Sequence, residues 1–280
     1  MEIKTSCLLI AFVFSTFSIH AQTNSSAMDK SIIIMNSAES SRSGNELPAN
    51  DEKPMPPFNL IKLNLTGVLL KNYSLQYERV LNKKISVALQ YRLMPETGIP
   101  FKSTVLKTVG DDDPDTKKII EDFRLSNFAI IPEVRFYLGR KGYGRGFYIA
   151  PFYRYASYTS NDLNVFYTGA NNVEQSIKMS GKLTSNTGGI LIGVQNELSK
   201  HLVFDISFFG PHYGGGKGNF EGATSQPLTP DEQNDLRDQL EDIDIPLTDK
   251  TVNVNANGAS LKLDGPWGGY RFAISLGVRF

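Results

Sequence analysis

Cysteine is almost missing from this chain: Cys7 is the one such residue among 280. That excludes the small extracellular folds that are stapled by disulfides. Long apolar runs are missing as well. No segment beyond the N-terminal stretch holds about 18 consecutive apolar residues, so the sequence encodes no transmembrane helix. An excess of either charge is also absent, with 29 Lys and Arg against 29 Asp and Glu, and nucleic acid is not an expected partner. Histidine is scarce, at three residues, which leaves little for imidazole chemistry. Aromatics, in contrast, are plentiful: 12 Tyr and 17 Phe, many of them near the ends of alternating segments.

The N-terminus has the layout of a secretory leader. Lys4 precedes an apolar-rich run from Cys7 to Ile19, and "SIHAQT" follows, with Ala21 as the residue before cleavage. A signal peptide over 1–21 is therefore expected. The run is shorter than the roughly 20 residues a spanning helix needs. Chain from Gln22 onward then has no cysteine, which fits a bacterial envelope protein. Residues 22–57 are rich in Ser, Asn, Pro and charge, and predict a disordered periplasmic segment. Within it, "SIIIM" (31–35) is read as an unpaired stretch of linker, with a short strand or docking patch as the alternative.

From Phe58 the apolar pattern has period two, the signature of strands with two different faces. Eight segments show it: 58–69, 73–81, 85–94, 126–138, 147–158, 188–198, 202–209 and 269–280. Most match the ~9–11 residues of a tilted membrane-spanning strand. Connections 82–84, 139–145 and 199–201 are short, whereas 95–125, 159–187 and 210–268 are long. Short turns on one side and long loops on the other are the pattern of outer-membrane barrels. The expected fold is all-β: an antiparallel transmembrane β-barrel over 58–280 with eight strands. Ten or twelve stay open if 159–187 and the Asn257-Gly258 hairpin also span. Residues 159–187 are read as strands five and six running past the membrane, one long hairpin from 147 to 198; the extra spanning strands are the alternative. Pro132 and Pro151 fall inside two strands and predict bulges there.

Alternation assigns the two faces. In the last segment Tyr270, Phe272, Ile274, Leu276, Val278 and Phe280 form one row, and Arg271 and Arg279 lie on the other. A water-soluble barrel alternates too, with its apolar face inward. Charges separated by small residues on the polar face, and aromatics such as Tyr73, Tyr91, Phe136, Phe147 and Phe280 near the ends of the apolar face, favour the membrane form. Lys62, Glu78, Arg92, Glu133, Arg135, Arg154, Glu197, Asp205, Arg271 and Arg279 then line the interior. Eight strands leave no aqueous bore, so these charges are expected to form a salt-bridged plug rather than an ion path.

Other motifs carry less. "FFGPHYGGGKGNFEG" (208–222) lacks the spacing of a phosphate loop and is read as glycines that let the chain leave the rim flexibly. "GDDDPDTKK" (110–118) lacks EF-hand spacing and is read as a solvated loop. "LTPDEQNDLRDQLEDIDIP" (228–246) predicts the one short helix. Thr229 caps it, Pro230 fits its first turn, and Leu236, Leu240 and Ile243 make its apolar stripe. His201 lies in a turn and His212 at the outer rim, with no triad spacing around either. No catalytic, cofactor or metal-ligating set is assigned, and an enzyme is not expected.

The stretches "IKLNLTGVLLKNYSLQYERVLNKKISVALQYRLMP", "FYIAPFYRY", "GGILIGVQNEL", "FGPHYGGGKG" and "GPWGGYRFAISLGVRF" resemble the uncharacterised Bacteroidota envelope barrel family known as domain of unknown function 3575. The resemblance implies an outer-membrane location and transfers no activity. The final row, Tyr270 to Phe280, also resembles the terminal signal read by barrel-assembly machinery. The expected function is an outer-membrane protein of structural or interaction type that works through loops 95–125, 159–187 and 210–268. Its partners would be outer-membrane lipid, the assembly machinery, and an extracellular or envelope protein. A rim-sited enzyme acting on lipid or peptide, and a narrow pore if strands exceed eight, are the alternatives.

Overall fold

The structure, a computed structural model, describes residues 58–99, 102–103, 106, 117, 120–169, 173–243 and 245–280. The expected leader 1–21, the segment 22–57 with its 31–35 patch, and nearly all of 110–118 lie outside these residues. In chain order the elements begin with β1 (Phe58–Asn64), α1 (Leu65–Leu69), β2 (Tyr73–Val80), β3 (Ile85–Thr97) and β4 (Leu125–Tyr137). They continue with β5 (Gly146–Thr168), β6 (Glu174–Glu197), β7 (Leu202–Phe209) and β8 (Pro211–Ala223). The last are α2 (Pro230–Glu241), β9 (Asp249–Asn255), β10 (Gly258–Tyr270) and β11 (Ala273–Arg279).

All strand pairings are antiparallel, and eight strands close on themselves by hydrogen bonds. The cycle runs β1–β2–β3–β4–β5–β6–β7–β11 and back to β1. Closure extends to the final residue, because Phe280 N donates to Asn59 O at 3.1 Å and Asn59 N donates to Phe280 O at 3.0 Å. A ring without an edge removes the unpaired donors and acceptors that an open sheet exposes.

Several strands continue past the ring. β6 uses Ile192–Glu197 to pair β7 and Ser180–Gly189 to pair β8, with a register shift between Ile192 and Gly193. β7 and β8 are separated by Gly210 alone, so together they form one long strand along β6. β10 and β11 likewise run on with only Arg271 and Phe272 between them, β10 along β8 and β11 along β7. The extension is the sheet β5–β6–β8–β10–β9. The long hairpin from β5 to β6 is present as read from the sequence, and it is only half of what protrudes. Glycines 214–218 are correspondingly not a flexible exit but part of a regular ladder with β6 and β10. A Cβ on Gly214 would stand 2.0 Å from Asn186 O, so a side chain there would push β8 off β6. Gly258 takes φ +150° in the turn between β9 and β10, where glycine is at ease.

Two local expectations fail for identifiable reasons. Residues 65–69 do not extend the first strand: Asn64 Oδ1 accepts from Gly67 N at 3.0 Å and caps a single helical turn. Pro132 and Pro151 do not create bulges. The β4–β5 register keeps one offset from Leu125↔Ser160 to Tyr137↔Tyr148. Both prolines instead leave gaps in that one seam, while Pro132 still pairs Leu89 of β3 and Pro151 still pairs Ile190 of β6.

The extension has its own apolar core. Leu163, Val165 and Tyr167 of β5, Ile177, Met179 and Leu183 of β6, and Phe220 and Leu261 pack together on one side. α2 covers that side with Leu236 and Leu240, and Ile243 just past its end completes the predicted stripe. Its start is fixed by a capping box: Glu232 N donates to Thr229 Oγ1 at 3.4 Å, and Thr229 N donates to Glu232 Oε2 at 2.8 Å. Leu236 is fully buried. Leu236→Ala is therefore expected to remove about 2–5 kcal/mol from the docking of α2. Amide exchange should accelerate in α2 and β9 and stay unchanged in β1–β4; equal protection in both variants would contradict this packing.

Candidate functional site

Alternation along the ring strands sends polar side chains inward, and the ring brings distant ones together. Lys62 of β1, Glu78 of β2, Arg135 of β4 and Asp205 of β7 are each at most 4% exposed. Lys62 Nζ donates to Glu78 Oε2 at 2.5 Å and to Asp205 Oδ2 at 2.8 Å. Arg135 Nη1 donates to the same Asp205 oxygen at 2.7 Å, and its Nη2 lies 2.7 Å from Glu133 Oε1. Arg271 reaches the other oxygen of Glu133 at 3.2 Å. Three cations and three carboxylates thus balance in the middle of the ring. Buried ions are tolerable only when paired and hydrogen-bonded, and this set meets both conditions.

Neutral groups complete the set. Tyr137 OH donates to Glu78 Oε1 at 2.7 Å, and Tyr148 OH donates to Asp205 Oδ1 at 2.9 Å. Gln76 and Gln195 accept from Arg135, and Gln195 also accepts from Lys62 at 2.7 Å. The Arg135 guanidinium sits 4.3 Å from the centre of the Tyr148 ring. These four residues were not singled out from the sequence. They share the inward face with the charges on their strands, so the signal was present in the alternation.

The ten predicted interior charges do not form one plug. Six of them make the central set: Lys62, Glu78, Glu133, Arg135, Asp205 and Arg271. Glu197 and Arg279 stand apart near the short turns, 2.7 Å from each other and about a quarter exposed, with Arg145 also 3.3 Å from Glu197. Arg92 and Arg154 lie toward the opposite end, and among the described residues neither forms an ion pair. The reason is the ring's depth: carboxylates occur at the middle and turn levels, and none of the described ones reaches these two arginines.

The predicted terminal row is also divided. Ile274, Leu276 and Val278 lie on β11, paired with both β1 and β7. Tyr270 ends β10 instead, and Phe272 falls in the break between the strands. Phe272, Val278 and Phe280 are exposed. The break follows from Arg271 turning inward to Glu133 while its backbone N donates to Gly210 O at 2.8 Å. On the extension, Asp264 accepts from Lys217 at 2.8 Å and raises the ammonium pKa, in a pair that water screens.

No group of His, Cys, Asp and Glu suited to a metal occurs among the described residues. No family model, curated protein or solved structure matches the chain.

Removing one member of a buried ion pair leaves its partner uncompensated and costs about 3–5 kcal/mol. Glu133→Ala and Arg135→Ala should each lower unfolding stability by that order, measured by urea titration of the refolded protein. Arg279→Ala, in a half-open pair, should cost much less. An unchanged midpoint for both buried variants would show that the central set does not hold the ring together.

Proposed function

We propose that this chain is an outer-membrane β-barrel of interaction type, with the eight-stranded ring in the bilayer and the extension outside the cell as its working part. The observation that carries the proposal is the behaviour of β6. Its odd-numbered side chains point inward along the whole strand. At the far end of the extension those inward residues are apolar, Ile177, Met179 and Leu183, and outward Lys178 and Lys182 are exposed; nearer the ring the inward residues Ser185 and Thr187 are polar. In the ring the outward side turns apolar, with Ile190 at 53% exposure followed by Ile192 and Val194, while the inward side is mixed, Gln195 buried as well as Leu191. One strand with fixed facing gains an apolar outer side, as a strand must when it passes from water into lipid.

The rest of the ring supports the same boundary. Leu75, Tyr77, Val87, Leu89, Tyr91 and Leu93 are all outward and exposed, opposite buried Ser74, Gln76, Ser86 and Gln90. A water-soluble barrel needs the opposite arrangement. The span from Gly189 to the turn after Glu197 is close to the ~9–11 residues of a tilted membrane strand. The resemblance to the Bacteroidota family belongs to the same proposal.

The interaction role rests on the extension. It is a built sheet with its own core, and among the described residues β9 ends the sheet with one side paired to no strand, touched there by Arg237, which donates to Val254 O. An exposed edge of this kind accepts a partner's strand by backbone hydrogen bonds. A narrow pore has less support, because the cavity beside the central charges is only about 20 Å³.

Location can be tested by surface labelling. With Cys7 in the expected leader, a single cysteine placed at Lys262 or Asn253 should react with an impermeant maleimide on intact cells. One placed at Lys83, in a short turn, should react only after the outer membrane is opened. Labelling of Lys83→Cys on intact cells, or of neither extension site, would overturn the orientation.

A further inference from the structure

At the end of the ring nearest the extension, Arg92, Arg154 and Arg271 line one cavity of about 40 Å³, together with His212, Asn72 and Trp267. Their hydrogen-bonding capacity is only partly used. Arg92 Nε donates to Asn72 Oδ1 at 2.6 Å. Arg154 is 4% exposed, and its Nη2 donates to Tyr158 OH at 2.7 Å. Arg271 Nη2 donates to Gln90 Oε1 at 2.6 Å and shares Glu133 with Arg135. Arg154 Nη1, Arg271 Nη1 and His212 Nδ1 are buried with no hydrogen-bond partner among the described residues.

That arrangement is costly in isolation. A buried donor without a partner forfeits its hydration. The three guanidinium groups are also near enough to repel one another. Packing alone does not require charge here: aromatic rings fill the space around them, with Phe152 4.2 Å from the Arg271 guanidinium and 6.1 Å from the His212 ring. Three arginine forks that converge with a single shared carboxylate among them match the oxygens of an anion.

We propose that this cavity binds a phosphoryl group, carried by a soluble ligand that enters from the extension side. Charge and size select the class. Two arginines have no counter-ion and a third shares one, which suits a dianion better than a singly charged carboxylate. The cavity exceeds the ~10–15 Å³ that one water needs, which leaves room for a small tetrahedral oxyanion. The rest of the ligand would remain outside, against Trp267 and the glycines of β10. The site lies inside the ring, so this inference does not depend on the membrane proposal.

The test is calorimetric titration of the full chain, purified in non-ionic detergent without phospholipid, with inorganic phosphate, phenyl phosphate and acetate. Saturable binding of inorganic phosphate and phenyl phosphate is expected, with acetate weaker. Arg154→Gln and Arg92→Gln should each weaken phosphate binding roughly tenfold or more, the effect of one charge-assisted hydrogen bond. Arg145→Gln, at the other end of the ring, should leave it unchanged. Arg92, less buried than Arg154, keeps the test decisive if Arg154→Gln fails to fold. Adding phosphatidylglycerol to the micelles should not displace phosphate; displacement would assign the site to a lipid headgroup and overturn the soluble ligand. No saturable phosphate binding, equal binding of acetate, or binding unaffected by both substitutions would overturn the proposal.

Discussion

Lys62 and Arg135 donate to one oxygen of Asp205 from two different strands, and Tyr148 donates to the other. Those contacts tie β1, β4, β5 and β7, which are spread around the ring, to a single carboxylate. A ring of eight strands is too narrow for an aqueous channel, so whatever points inward must fill it. Here the centre of the filling is ionic, flanked by apolar clusters around Ile131 and Leu60, and that choice fixes much else. Charges in the middle oblige the strands to present their apolar side chains outward. An outward apolar band is what the proposed bilayer setting would cover.

Beyond the ring the same strands carry polar side chains on the outside. The extension buries aliphatic and aromatic side chains beneath α2 in the manner of a soluble sheet. Two folding problems are therefore solved on continuous strands. The crossover is marked by register shifts at Ile192/Gly193 on β6 and Ser160/Leu163 on β5, and by the break at Arg271 and Phe272. The surplus arginines lie near this crossover, beyond the reach of the central carboxylates. They leave buried N–H groups where a ligand from the extension side could meet them.

Much of this could be read from period-two alternation. It placed the eight ring strands, the inward charges and the outward aromatics, because side chains on a strand must alternate. Helix α2 was legible from Thr229, Pro230 and the leucine stripe. What escaped did so for physical reasons. The segment Pro211–Ala223 has glycine at 214, 215, 216, 218 and 222, and residues without side chains carry no alternation. Its strand exists because β6 and β10 pair with it on both sides. Residues 65–69 alternate well enough to pass for strand, yet Asn64 captures Gly67 N locally and wins. Division of the charges into a central set, a turn-end pair and a free arginine group depended on their depth in the ring. Strand register sets that depth, and no single segment contains it.

The claim that orders all of this is that charge lies inside the ring and lipid outside it. Spin labels placed one at a time from Ile85 to Met94 of β3, in refolded protein in phospholipid vesicles, test it most directly. Odd positions should be accessible to oxygen and shielded from a water-soluble nickel chelate, and even positions should be shielded from both, giving a period of two. Accessibility of odd positions to the chelate, or no alternation at all, would contradict the account.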